Sequence, residues 1–146
     1  MIALLFACAP ADRPLTDGYL PVQLALEHAD DEAWIAAHRG WLERFAATGD
    51  ARSNTGGRWA IDALAKLPGT EGREALRRQL YGPTGWQAAE ALARRPDGCE
   101  ALYQEWLTSD VHVELLTRAL ASGTPSCVDT LHLTEPGLLQ AYRVLR

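Results

Sequence analysis

Three cysteines, four histidines and a cluster of acids are the side chains with which this 146-residue chain could do chemistry. A metal site needs His, Cys, Asp or Glu at ligand spacing, such as two histidines one helical turn apart. His28, His38, His112 and His132 have no such mutual spacing, so they read as surface or boundary residues and no metal is expected. Glu27, Asp30, Asp31 and Glu32 lie together, but they lack the glycine and alternating oxygen donors of a calcium loop. Acids also gather at helix N-termini, where the helix dipole favours them, and capping is the expected role. No glycine-rich loop has phosphate-cradling spacing, and no serine sits in a nucleophile motif. Neither Cys99 nor Cys127 has a histidine nearby in sequence to activate a thiolate. The residues therefore predict a non-enzymatic chain without catalytic residues or cofactor.

The totals fit that reading. Hydrophobic residues make up 47% and charged residues 23%, ordinary proportions for one folded domain of this length. A formal charge of −5 gives no general attraction to phosphate backbones, so no nucleic-acid partner is expected. The charge is uneven: residues 58–95 carry seven bases against four acids, while residues 96–135 carry one base against seven acids. No apolar run approaches the roughly 18 residues needed to span a bilayer, so any membrane attachment must come from the N-terminus.

That N-terminus is suggestive. Residues 2–7 are apolar and lead directly to Cys8, although no Lys or Arg precedes them. Leu5-Phe6-Ala7-Cys8 resembles the bacterial lipobox, in which an aliphatic, a loosely specified and a small residue precede the cysteine that receives diacylglycerol. Ala9-Pro10-Ala11-Asp12-Arg13-Pro14 is similar to the tether that trails such a cysteine. The resemblance implies a degenerate lipoprotein signal and tether over residues 1–18, a domain over residues 19–146, lipidation of Cys8, and a place on the periplasmic side of a bacterial envelope. The alternative is a short apolar segment tucked against the first helices of a cytoplasmic protein, with Cys8 an ordinary buried thiol.

The elements that carry these residues repeat. A shift of 28 residues lays residues 60–68, AIDALAKLP, over residues 88–96, AAEALARRP, with five identities and both charged positions conserved in sign. The next shift places Ala91-Leu92-Ala93 over Ala119-Leu120-Ala121 and Cys99 over Cys127. Each unit reads as two helices. Trp59, Ile61, Leu64 and Leu67 mark the first, Pro68-Gly69 breaks it, and Thr70 is the expected cap of the next, which Ala75, Leu76 and Leu80 carry. Trp86, Ala89 and Leu92 restart the cycle, Pro96-Asp97-Gly98 breaks it, and Leu102, Trp106 and Leu107 follow. Ser109 or Asp110 is the expected cap for residues 111–121, with further helices over residues 127–133 and 138–145 and helical spacing over residues 21–29 and 31–48. Asn54-Thr55-Gly56-Gly57 reads as a linker. No alternating, β-branched stretch predicts a strand.

The fold expected is all-α, an α-solenoid of stacked antiparallel helix pairs with no β-sheet. Over residues 58–133 the pattern resembles the short HEAT-like repeats of bilin lyases and of many bacterial regulatory or scaffold proteins, which implies stacking rather than an activity. HEAT-like deoxyhypusine hydroxylase holds iron with repeated His-Glu pairs; here Glu27-His28 occurs once, reversed. Cys99 and Cys127 are either a disulfide pair or two buried thiols. Equivalent residues on adjacent helices lie about 8–10 Å apart, whereas bridged Cα atoms need about 4.4–6.8 Å. Trp34, Trp41 and Phe45 share a core stripe. Trp59 and Trp86, with Arg73, Arg77, Arg78, Arg94 and Arg95, are the candidate surface for a protein partner. The expected function is a scaffold or interaction domain held to the envelope by a lipid. Its alternatives are a small intracellular regulator, or a HEAT-like enzyme such as a lyase or a glycosylase using Asp62 or Glu90.

Overall fold

Alanine and leucine at helical spacing, punctuated by proline and glycine, dictate a chain of short helices. The computed structural model describes residues 25–48, 54–110, 112–123 and 125–146. The helices are α1 (Glu32–Ala37), α2 (Arg39–Thr48), α3 (Asn54–Leu64), α4 (Gly69–Gln79), α5 (Gly85–Ala93), α6 (Gly98–Thr108), α7 (Val113–Ala121), α8 (Cys127–Thr130) and α9 (Pro136–Leu145). Among the described residues the fold is all-α, with no strand and one isolated bridge between Gly123 and Ser126. Residues 1–18, with the lipobox-like stretch and Cys8, lie outside the described residues.

Helices pack on their immediate neighbours and also on the next but one. The series α3, α5 and α7 makes one row, and α2, α4, α6 and α8 makes a second. The first row supplies much of the core: Ala60, Ile61 and Leu64 of α3, Ala88, Ala89 and Leu92 of α5, and Leu116, Ala119 and Leu120 of α7 are buried. Alanine dominates because its small side chain lets helix axes approach closely at little entropic cost. Helix α5 lies at the centre and buries six of its nine residues. In the second row each helix has one face on the first row, as with Leu76 and Leu102, and carries its charges on the rest. Helix α9 closes the described chain by packing on α7, with Leu138 buried.

Several local expectations are corrected. The expected linker at Asn54-Thr55-Gly56-Gly57 is the first turn of α3. Gly57 is buried there, and a Cβ would collide with the Thr84 methyl group, so the glycine permits close approach and does not loosen the chain. Helix α4 begins at Gly69, in the left-handed region, and its cap position is Pro68 rather than Thr70. Helix α7 begins at Val113, with His112 at the cap in a left-handed conformation, so neither Ser109 nor Asp110 caps it. Residues 31–48 form two helices divided at His38, whose ring Nδ1 lies 2.8 Å from the Trp34 carbonyl oxygen. Helix α8 stops after one turn, at Thr130, because His132 turns left-handed.

Candidate functional site

The second row is tied together by side chains far apart in sequence. Arg39 of α2 pairs with Glu71 of α4, and Glu43 of α2 accepts from Arg78 of α4 at 2.8 Å. Arg77 of α4 donates to Glu105 of α6, 28 residues on. Glu105 is buried and its second oxygen accepts from the Tyr81 hydroxyl, so the carboxylate is satisfied on both sides. Burial, then the Glu105 contact, pushes the Tyr81 hydroxyl above the ordinary tyrosine range.

The turns on one edge of the fold are linked at the same interval. Arg95, in the turn between α5 and α6, has a side chain only 11% exposed. Its guanidinium donates to the carbonyls of Ala65 at 3.0 Å, Leu67 at 2.8 Å and Gly69 at 2.9 Å, while Asp97 accepts from its Nε at 3.0 Å. The Ala65 and Leu67 carbonyls follow the end of α3 and the Gly69 carbonyl opens α4, and a planar fork of donors suits such a cluster of carbonyls. The α5–α6 turn thus grips the α3–α4 turn. The next link is covalent: Cys99 and Cys127, 28 residues apart, form a disulfide with Cα atoms 5.1 Å apart. Ordinary helix spacing is about 8–10 Å, and the bridge forms because α8 begins beside the N-terminus of α6 and runs for only one turn.

The structure therefore divides the expected partner surface. Arg77 and Arg78 are engaged in inter-helix pairs, Arg95 is held by Asp97 and the carbonyls of the α3–α4 turn, and Arg73 pairs with Glu74 at 3.3 Å. Trp59 is half-buried, edge-on to Trp41 and Phe45 in the core. Arg94 is 67% exposed, with Glu90 at 3.8 Å. Trp86 is 40% exposed, on the edge opposite the bridged turns. There it lines a concavity of about 440 Å³ with His112, Val113, Leu115, Glu114 and Arg118, and the His112 ring lies 5.7 Å from Tyr81. Sequence patterning pointed to Trp86 but missed Tyr81, His112 and Val113, which come together only when the α4–α5 and α6–α7 turns stack.

The remaining chemical candidates are placed as follows. Asp31 caps α1, accepting from the Trp34 N–H at 3.0 Å, and this bond holds its carboxyl below the usual range. His28 and His38 stack on either side of Trp34. Asp62 is exposed and Glu90 half-buried on α3 and α5. Among the described residues, no three His, Cys, Asp or Glu side chains converge to hold a metal ion, and no helix is long and apolar enough to cross a membrane. No protein family, curated protein or solved structure matches the chain.

Proposed function

We propose that the chain is a non-enzymatic, HEAT-like helical scaffold, held by a lipid on Cys8 at the periplasmic side of a bacterial envelope, that presents an aromatic edge to a protein partner. The observation that carries this reading is the disulfide between Cys99 and Cys127 within a two-row helical stack. Disulfides persist in oxidising compartments and are rare where cellular thiols keep cysteines reduced. With that pair joined, Cys8 is the remaining cysteine, and it sits in the lipobox-like tetrapeptide. A stack of helices offers an extended, pre-ordered surface, which lowers the entropic cost of binding. Arg77, Arg78 and Arg95 are engaged within the stack, so the contact surface is assigned to Trp86 with His112 and Val113, and to Tyr81 beside His112.

Detergent phase partitioning of the full chain expressed in a bacterium tests the anchor. The wild type is expected in the detergent phase and Cys8→Ser in the aqueous phase; equal partitioning of the two would overturn it. A Trp86→Ala substitution is expected to leave the melting temperature unchanged, because the ring is peripheral, and to weaken partner capture from envelope extracts.

A further inference from the structure

Helix α8 is built unlike the other members of its row. A single turn cannot sustain itself, because helix nucleation fixes several residues for one hydrogen bond. It lies between two left-handed residues, Gly123 and His132, the points where the chain swings in and out of it. What holds it is the burial of Val128 against the core and its packing on α7, the bond to Cys99, the Ser126 hydroxyl that caps it by accepting from the Asp129 N–H at 3.3 Å, and Asp129's contacts with Tyr142 and Arg146 of the last helix and C-terminus.

The bond borders a cleft on one side. Cys99, 5% exposed, lines a cleft of about 340 Å³ with Ala93, Arg94, Arg95, Pro96 and Pro125, whereas Cys127 is wholly buried. Both sulfurs lie 4.0 Å from the Ala93 carbonyl oxygen, so an acceptor is in place for whichever thiol is released. Arg94, which lines the cleft and is 67% exposed with Glu90 at 3.8 Å, and Arg95 beside it give the cleft positive charge that favours an arriving thiolate.

We propose that the Cys99–Cys127 bridge is a reducible clasp, opened by a dithiol entering this cleft, whose opening frees α8 from α6 while the rest of the stack stays folded. The reductant's thiolate attacks Cys99 Sγ and forms a mixed disulfide; the Cys99–Cys127 bond breaks, its electron pair leaves on Cys127 Sγ, and that sulfur takes a proton and donates to the Ala93 carbonyl. The reductant's second thiol, as its thiolate, then attacks the reductant's own sulfur, releasing Cys99 as a thiolate beside the N-terminus of α6 and leaving the reductant oxidised to its disulfide. Two electrons pass from the dithiol to the protein.

Dithiothreitol applied to the oxidised full chain without denaturant, followed by thiol alkylation and amide exchange, tests this. The bond is expected to open in the native chain, with exchange rising at least tenfold over α8 and unchanged over α4 and α5. Alkylation of the lone thiol of a Cys127→Ser variant, with Cys8 also replaced by serine, is expected to run at least tenfold faster than in the matching Cys99→Ser variant. Reduction that occurs only in denaturant, or exchange that rises across α4 and α5 as well, would overturn the clasp. So would a Cys127 thiol that reacts as fast as Cys99. Reduced wild type carries the test alone if a serine variant loses its helical circular dichroism.

Discussion

Arg95 and Arg94 are adjacent in sequence and opposite in role. Arg95 has lost its water and answers with donors to three backbone carbonyls and to Asp97. Arg94 keeps its hydration. Removing the first strands acceptors that are partly buried, and Arg95→Ala is expected to lower unfolding free energy by about 2 kcal/mol in a denaturant titration, on the scale of lost charged hydrogen bonds. Arg95→Lys restores little, because a point ammonium cannot span carbonyls that a planar fork spans. Arg94→Ala is expected to change stability by less than about 0.5 kcal/mol, as exposed substitutions do. Equal losses at the two positions would contradict the assignment. The sequence marked both as one basic cluster, because the carbonyls that Arg95 grips lie 26 to 30 residues away, across a turn that local charge counting does not see.

At the scale of elements, glycines decide how closely one helix can follow another. A Cβ on Gly98, the first residue of α6, would overlap the Leu92 carbonyl of α5. Gly98→Ala is therefore expected to cost about 3 kcal/mol, the upper end of overpacking, read as a fall in midpoint denaturant concentration. The helix breaks at Pro68-Gly69 and Pro96-Asp97-Gly98 were legible because proline and glycine act locally. The start of α3 was not, since Gly57 is required by a neighbour 27 residues away, and the start of α7 was hidden by a histidine taking a left-handed backbone. The last elements also carry a pH dependence. The Tyr142 hydroxyl holds the Asp129 carboxyl below its usual range, and the Tyr103 hydroxyl does the same for Glu135. A lowered folded pKa adds stability above the ordinary carboxylate pKa of about 4, which is lost as pH falls through the folded value. Acid is thus expected to loosen α8 and α9, and Tyr142→Phe to raise the Asp129 midpoint in a carboxyl NMR titration. An unmoved midpoint would contradict the contact.

For the whole molecule, the 28-residue period is both a sequence pattern and a set of bonds: Arg95 to the Leu67 carbonyl, Arg77 to Glu105, and Cys99 to Cys127. The disulfide encloses a loop whose removal from the unfolded ensemble is worth about 3–4 kcal/mol in the chain-entropy account. The alanine-rich first row and the charged second row were legible as composition. Their order in space was not, because it depends on contacts made across turns, such as those of Arg95 and of the Cys99–Cys127 bridge. The central claim joins that bridge to an envelope address, and intact mass spectrometry of the protein isolated without reductant from a bacterial envelope tests both at once. The account predicts a chain beginning at Cys8 that carries a diacylglycerol-sized addition, takes up no alkylating reagent until it is reduced, and then takes it up at Cys99 and Cys127. A chain that keeps residues 1–7, carries no lipid and is alkylated at all three cysteines before reduction would contradict it.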